Sequence, residues 1–279
     1  MRHSAGAVVY SRKIMNAYAR PQFEYLDHED PIAFAHQGGD QAGWERRNTM
    51  PAFEAAYVLG YRYFETDAIC SADDQVIAFH GSGSRREEER SGLPLRSLLQ
   101  TLPYDEIRDK YEIGGEEMPL MADVLTTWPD VRVNIDPKTK EAVLPLARLI
   151  RKLGVVNRVC VTSFSNDRIK GVAEELGGRE KVCTGLGPLG AIALKSQGLL
   201  VPGYLARTKA ACLQLPYQHV SKRMVEYARH YGLDTHVWTP NDASHMREAL
   251  EKEVDGVMTD NIVALKQVLI DREEWAEAA

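Results

Sequence analysis

The chain contains little cysteine, with only four in 279 residues. Cys70, Cys160, Cys183 and Cys212 stand far apart, and no two of them form a Cys-x-x-Cys pair. Close spacing of that kind marks many zinc and redox motifs, so neither is indicated by the sequence. Cys160 and Cys212 lie in apolar, strand-like runs, where a free cysteine behaves as a small hydrophobic residue. We therefore predict buried thiols.

Long apolar runs are also missing. Residues 5–10 form an apolar stretch too short for a secretory signal, and no run approaches the roughly 20 residues of a membrane span. The formal net charge of −6 is mild and is spread along the chain, which argues against a nucleic-acid-binding surface. We expect a soluble, cytoplasmic protein that has a small-molecule substrate, no nucleic-acid partner and no integral membrane segment.

Strand and helix patterns alternate along most of the sequence. Such alternation predicts a parallel α/β sheet, and eight strand–helix units with right-handed crossovers close naturally into a (β/α)8 TIM barrel. A length of 279 residues and an apolar content of 44% fit one such domain, residues 1–279 with a core at 31–270. The count of eight requires residues 199–205 to be a loop. The predicted barrel strands are residues 31–36, 61–69, 131–136, 158–164, 181–184, 211–215, 235–238 and 256–259.

Two segments fall outside this alternation. Residues 1–30 form a polar leader with no clear period. A predicted hairpin returns at residues 75–79, and the following residues 81–118 form a short insertion with a helix-like stretch near 104–111. The charge run at residues 85–90 within it favours a solvated loop, with a lid over the mouth of the barrel as the alternative.

Polar side chains stand at the ends of several predicted strands. Residues two apart on a strand share a face, so Glu65 projects beside Asp67, and Asp136 projects beside Lys138. Barrel enzymes keep their active sites at the carboxyl ends of the strands. Alone, each of these residues is more often structural than functional, but together they indicate a site. The set is His36, Glu65, Asp67, His80, Asp136 and Lys138.

These residue types fit metal-assisted phosphate chemistry. Glu65, Asp67 and Asp136 would give three oxygen ligands to a hard divalent ion, Mg²⁺ or Ca²⁺, and leave positions open for substrate. A lysine adds positive charge for phosphate oxygens. Two histidines could deprotonate a nucleophile and protonate a leaving oxygen near neutral pH. The pattern indicates phosphodiester cleavage.

Polar and apolar motifs recur in a fixed order along the chain: His36-x-Gly38, Asn48-Thr49-x3-Phe53, Glu65-x-Asp67, His80, Met118-Pro119-Leu120-x3-Val124-Leu125, Asn134-Ile135-Asp136-x-Lys138, Ser163-Phe164, Val237-Trp238-Thr239-x-Asn241 and Val254-Asp255-Gly256-Val257-Met258-Thr259-Asp260-Asn261. In order and spacing, these motifs resemble those of the glycerophosphodiester phosphodiesterase family over residues 31–270. The resemblance implies a TIM barrel that hydrolyses glycerophosphodiesters to glycerol 3-phosphate and an alcohol with one bound Mg²⁺ or Ca²⁺.

The resemblance also implies a role for each matching residue. His36 and His80 would be the acid–base pair. Lys138 would bind phosphate, and Trp238 would line the glycerol or head-group side. The metal ligands would be Glu65, Asp67 and Asp136.

The chain departs from the family pattern at four positions. Gln37 replaces the arginine of His-Arg-Gly, Arg47 replaces the glutamate of Glu-Asn-Thr, Gly81 replaces an aspartate, and Asp136 replaces a glutamate. Losing the arginine removes a bidentate phosphate contact. We hypothesise that Arg47 restores a positive charge at the rim of the site, the carboxyl ends of the barrel strands. Both Gln37 and Arg47 are therefore assigned to substrate binding. The alternative is that Arg47 is solvent-exposed and phosphate binding is weaker.

Two other functions stay open. The same histidines and metal could support a phospholipase D-like or cyclising phosphotransfer reaction on lysophospholipids, which product analysis would distinguish. A barrel without turnover that binds a phosphate-containing ligand is the other, favoured by the changes at Gln37, Arg47 and Gly81. The intact His36 and His80 argue against it.

Overall fold

The structure is a computed structural model that describes residues 23–81, 94–196 and 201–275. Most of the predicted leader and the charge run at residues 85–90 lie outside this range. In the part of the chain that is described, no helix combines the length and the apolar character needed to cross a membrane.

Eight parallel strands form the centre of the fold. Around the barrel they follow the order 183–184, 159–161, 132–137, 63–70, 32–36, 256–259, 234–238 and 212–216, and a bridge from Gly185 to Cys212 joins the last strand to the first. The predicted (β/α)8 barrel is therefore confirmed. In chain order the strands are β1 (Ile32–His36), β2 (Tyr63–Cys70), β3 (Val76–Ala78), β4 (Glu112–Ile113), β5 (Glu116–Glu117), β6 (Arg132–Pro137), β7 (Val159–Val161), β8 (Cys183–Thr184), β9 (Cys212–Pro216), β10 (Asp234–Trp238) and β11 (Gly256–Thr259).

The helices cover the outside of this barrel. In the helix Val143–Leu153, for example, Leu146, Ala147 and Ile150 share the face that packs on the strands, and the helix ends at Gly154, whose φ of 68° suits glycine. In chain order the helices are α1 (Met50–Val58), α2 (Leu95–Leu99), α3 (Tyr104–Lys110), α4 (Met121–Thr127), α5 (Val143–Leu153), α6 (Asn166–Glu175), α7 (Pro188–Ser196), α8 (Val201–Thr208), α9 (Lys222–His230), α10 (Ala243–Glu251) and α11 (Ile262–Asp271).

Helix α8 corrects one prediction. Residues 199–205 were expected to be a loop, but the chain forms a helix from Val201 to Thr208. Leu205 is buried in it against Leu194 and Leu213, and a helical turn brings Leu205 onto that apolar surface. Two helices therefore connect β8 to β9, and the barrel still has eight strands.

The predicted insertion follows the hairpin made by β2 and β3, which pair antiparallel with Cys70 opposite Val76. It contains α2, α3 and the small β4–β5 hairpin, and α3 begins at Tyr104 as predicted. A separate apolar cluster, which includes Ile77, Leu99 and Ile107, holds these elements against the barrel.

Strands from the two ends of the barrel sequence are direct neighbours. β1 pairs with β11 over four residue pairs, beginning with Ile32 opposite Gly256. Below them, the short helical turn Glu24–Leu26 places Tyr25 against the amino-terminal end of the barrel, where Tyr25 is fully buried. The four cysteines are buried, as predicted.

Candidate active site

The carboxyl ends of the barrel strands converge on a cavity of about 490 Å³. It combines a charged side, made by the predicted catalytic and metal-binding residues, with an apolar side that includes Trp238. The charged side chains that line it are His36, Glu65, Asp67, His80, Asp136 and Lys138.

Strand register places the acidic residues next to one another. Glu65 and Asp67 lie on β2, whose eight residues are all buried, and Asp67 is directly opposite Asp136 on β6. His36, at the end of β1, is opposite Glu65 on the other side of β2. The two-residue spacing on β2 and the register of the parallel strands together bring the three carboxylates to one end of the barrel.

Lys138 lies between two of these carboxylates. Its Nζ is 2.5 Å from Asp67 Oδ1 and 2.7 Å from Asp136 Oδ2. Burial would raise the pKa of Asp67, but Lys138 and His80 outweigh it and the net shift is downward. Burial would lower the pKa of Lys138, yet the carboxylates raise it. Lys138 and Asp67 are therefore both charged near neutral pH.

The other two carboxyl groups are less readily ionised. Burial, with a contribution from Asp67, raises the pKa of Glu65 to about 7. Burial also raises the pKa of Asp136 above its ordinary value. One lysine does not fully compensate a cluster of three buried acids, so a further cation would stabilise their ionised forms.

Two oxygens of this cluster show where a cation would fit. Glu65 Oε2 and Asp136 Oδ1 are buried and have no hydrogen-bond partner among the described residues. Buried carboxylate oxygens are usually paired or bound to metal, because leaving them unpartnered is costly. The donor set, all oxygen and all anionic, suits a hard ion such as Mg²⁺ or Ca²⁺.

His36 is held by a carboxylate on each side. Its Nδ1 is 2.7 Å from Asp260 Oδ1, and its Nε2 is 3.6 Å from Glu65 Oε2. Because a carboxylate only accepts, Nδ1–H donates to Asp260 and Nε2 points to the cluster. Burial lowers the pKa of His36, but Glu65 and Asp260 outweigh it and the net shift is upward.

Asp260 is a site residue whose role was not predicted from the sequence. Burial raises its pKa, but His36 and Asn241 outweigh this and hold the pKa at about 2. Asn241 Nδ2 donates to Asp260 Oδ2 at 2.8 Å, and Arg47 Nη1 donates to Asp260 Oδ1 at 2.6 Å. The available signal was its position directly after β11, the same strand-end rule that selected His36.

Gln37 and Arg47 contact the carboxylates of the site rather than the cavity. Gln37, with a φ of 53°, donates from Nε2 to Asp67 Oδ2 at 2.9 Å, and Asn48 donates to the same oxygen at 3.0 Å. Arg47 is only 20% exposed, and its guanidinium lies 3.7 Å over the ring of Trp44. Both side chains are therefore held in place.

His80 differs from His36 in its surroundings. It follows β3 at the mouth of the barrel and is only partly buried, and its carbonyl accepts from Arg96 Nη2 at 2.6 Å. Partial burial lowers its pKa below the ordinary value, and the nearby Lys138 acts in the same direction. The pKa values of the two histidines are thus shifted in opposite directions.

The far wall of the cavity is apolar. Phe164 is 68% exposed and Ile192 is 67% exposed, although both are large hydrophobic residues at its mouth. The Phe164 ring meets Trp238 edge to face, with centroids 5.9 Å apart. Deeper in, Leu186 and Leu215 continue this wall.

Comparisons with known proteins identify the family of this chain. The model of the "Glycerophosphoryl diester phosphodiesterase family" matches residues 36–264. A Mycobacterium tuberculosis protein named "Probable glycerophosphodiester phosphodiesterase 2" is 32% identical, with 91% of this chain and 97% of that protein covered.

Solved structures show the same fold. A glycerophosphodiester phosphodiesterase from Parabacteroides distasonis has a TM-score of 0.70 at 19% identity, with 88% of this chain and all of that chain covered. An Oleispira antarctica phosphodiesterase, solved with the product sn-glycerol-3-phosphate, has a TM-score of 0.67 at 15% identity, covering 86% and 97%. From the family match and the relative together, the chain belongs to the glycerophosphoryl diester phosphodiesterase family and is a phosphoric diester hydrolase.

Proposed function

We propose that this chain hydrolyses glycerophosphodiesters to glycerol 3-phosphate and an alcohol, with His36 and His80 as acid and base and with one divalent ion. The observation that carries the proposal is that His36 and His80 line the same cavity as the buried Glu65, Asp67, Asp136 and Lys138, and the pKa values of the two histidines are shifted in opposite directions. Two histidines whose pKa values differ in this way can be in different protonation states at the same pH, so that one donates a proton and the other accepts one.

The carboxylates would hold the ion. Glu65, Asp67 and Asp136 would provide the oxygen ligands, and Mg²⁺ or Ca²⁺, when bound, supplies positive charge that polarises the phosphoryl group. Lys138 would then bind a phosphate oxygen, because a divalent ion would take over the compensation of Asp67 and Asp136 that its ammonium provides here. Trp238 would line the glycerol or head-group side.

The histidines would move the protons. His80, neutral near neutral pH, would take a proton from the water that attacks phosphorus. His36 would give its Nε2 proton to the alcohol oxygen as the P–O bond to that oxygen breaks. Asp260 would hold the ring through Nδ1–H, so that Nε2 is presented to the leaving oxygen.

The test is release of glycerol 3-phosphate from a panel of glycerophosphodiesters, run with Mg²⁺, Ca²⁺, Mn²⁺ or a chelator. We expect metal-dependent release that His36→Ala and His80→Ala each reduce by about 100-fold or more, because general acid–base groups contribute about 10² to 10⁴. Release that persists unchanged in both variants would exclude the two-histidine mechanism. No release from any substrate by folded, metal-loaded protein would favour the ligand-binding alternative.

A lysophospholipid is the second candidate substrate, and the exposed Phe164 and Ile192 favour it. An apolar wall beside the phosphate site could receive an acyl chain, since exposed hydrophobic residues at a cavity mouth mark binding surfaces. If so, Phe164→Ser and Ile192→Ser should lower turnover of lysophosphatidylcholine and leave glycerophosphocholine hydrolysis nearly unchanged. Phosphorus NMR of the products would distinguish hydrolysis from cyclisation.

A further inference from the structure

Three of the four cysteines meet in the barrel interior. Cys160, Cys183 and Cys212 come from the neighbouring strands β7, β8 and β9, and their sulfurs all lie within 4.8 Å of one another. Each stands two residues before a cavity-lining residue, so the cysteines form the layer directly beneath the floor of the active-site cavity. Those floor residues are Thr162, Gly185 and Gln214.

The Cys160–Cys212 spacing matches that of two thiolates on one ion, and Cys183 lies within 4.8 Å of both. Cys160 Sγ and Cys212 Sγ are 3.8 Å apart. Two sulfurs bound at about 2.3 Å to a single ion are separated by roughly 3.8 Å in tetrahedral and roughly 4.0 Å in trigonal geometry. The ligands could therefore surround a metal ion without a change of backbone register.

The surroundings of the cysteines provide an independent observation. His236 and Tyr25 are fully buried and pack in the same region, and neither His236 Nε2 nor Tyr25 Oη has a hydrogen-bond partner among the described residues. Buried polar groups are rarely left without a partner, so each one calls for an explanation. His236 Nδ1 is 3.4 Å from Gln214 Nε2, and the ring interacts with the Cys212 thiol. His236 therefore borders the sulfur cluster, next to Cys212.

We propose that Cys160, Cys183 and Cys212 bind one thiophilic metal ion inside the barrel, at a site distinct from the carboxylate cluster. Thiolate sulfur selects soft ions such as Cu⁺ or Zn²⁺, whereas the carboxylate oxygens above select hard ones. Binding replaces the three thiol protons, which pass to solvent. The two sites therefore discriminate between metals by ligand type.

Cu⁺ and Zn²⁺ differ in the number of ligands that they require. Three thiolates are sufficient for Cu⁺, whereas structural Zn²⁺ is almost always four-coordinate and would require a further donor. His236 would supply that fourth ligand only after a shift of its ring, because neither of its nitrogens belongs to the group of ligand atoms within 4.8 Å of one another. Zn²⁺ binding that is weakened by His236→Ala, with Cu⁺ binding retained, would identify the zinc arrangement; Cu⁺ binding alone would identify the three-thiolate arrangement.

The experiment measures metal content of the whole chain. Protein is produced in cells supplied with zinc or copper salts, purified without oxygen, and examined by native mass spectrometry. Purified protein is also titrated with Zn²⁺ and with Cu⁺ against a competing chelator. We expect one soft ion per chain, bound at least about 100-fold more weakly by Cys183→Ala and unaffected by Cys70→Ala. Cys70 is a matched control because it is also buried but lies outside the cluster.

A second measurement guards against misfolding of the variants. The bound ion should raise the melting temperature of wild type and Cys70→Ala but not of Cys183→Ala or Cys160→Ala, since a ligand stabilises only the state that binds it. Equal metal content in the Cys70 and Cys183 variants, or wild-type protein that takes up neither ion by either route, would overturn the proposal and leave three packed thiols.

Discussion

Asp260 is the residue through which the parts of the active site are connected. It accepts from His36, Arg47 and Asn241 on its two oxygens, while its own backbone N–H donates to Asn241 Oδ1. A carboxylate with so many donors stays ionised and fixes the ring of His36 in one tautomer and one orientation. Asp260 is a positioning residue, since it acts on substrate through His36.

The first prediction concerns Asp260→Asn. Removing the negative charge should lower the pKa of His36, so the alkaline limb of the activity profile should move to lower pH, because His36 must be protonated to act as the acid. We expect kcat to fall by about 10- to 100-fold with little change in KM. Asp234→Asn is the matched control, because Asp234 also pairs with a histidine, His28, at the opposite end of the barrel. An unchanged pH profile in Asp260→Asn would contradict the assigned role.

The second prediction concerns Arg47. Its guanidinium, stacked on Trp44 and bonded to Asp260, is the cation that remains on the rim where Gln37 replaces the family's arginine. Arg47 does not line the cavity, so its charge would act on the phosphate at longer range, and Arg47→Ala should raise KM by about 10-fold through weaker electrostatic attraction. Arg46→Ala, which removes a more exposed arginine paired with Glu116, should have little effect. Equal kinetics for wild type and Arg47→Ala would rule out compensation by this residue.

At the scale of elements, strands were easier to predict than what lies between them. An apolar run that ends in polar residues, as in β1 or β6, reports both a strand and its functional end, because period and burial agree. Helix α8 was missed because its apolar surface is recognisable only when Leu194 and Leu213 are brought beside it. Asp260 was missed for the same reason: its role depends on contacts with β1 and with Arg47, which are distant in sequence.

Helix α8 provides the third prediction. Leu205 is 1% exposed, so Leu205→Ala should lower the free energy of unfolding by about 2 to 5 kcal/mol through lost burial and a cavity. Ile192→Ala, on the preceding helix but two-thirds exposed, should change it by less than about 0.5 kcal/mol. Urea unfolding measures both free energies. An effect of Leu205→Ala as small as that of Ile192→Ala would mean that α8 adds nothing to the stability of the barrel.

For the whole molecule, the buried acids couple stability to pH. The pKa of Glu65 is about 7 in the folded chain against an ordinary value of 4.5, so the folded state holds this proton more tightly than the unfolded state. The free energy of unfolding should therefore fall as pH rises from 4.5 to 7, by on the order of 3 kcal/mol from this group.

The fourth prediction follows from that sign. In chelator, Glu65→Gln should lose less stability than wild type between pH 4.5 and pH 7, whereas Glu54→Gln, a change at an exposed acid, should behave like wild type. Added Mg²⁺ or Ca²⁺ should restore wild-type stability at the upper end of this range, because an ion compensates the ionised cluster. Urea unfolding curves at several pH values measure both effects, and parallel curves for wild type and Glu65→Gln would contradict the assignment.

The direct pairing of β1 with β11 also sets the order in which the enzyme can be completed. Contacts between segments so far apart in sequence carry a large loop-closure entropy and form late in folding. During synthesis the amino-terminal strands leave the ribosome first, yet His36 receives its partner Asp260 only after the last barrel strand has docked. A growing or truncated chain that lacks β11 would carry the acidic cluster without a positioned acid, so turnover should appear only once the barrel is closed.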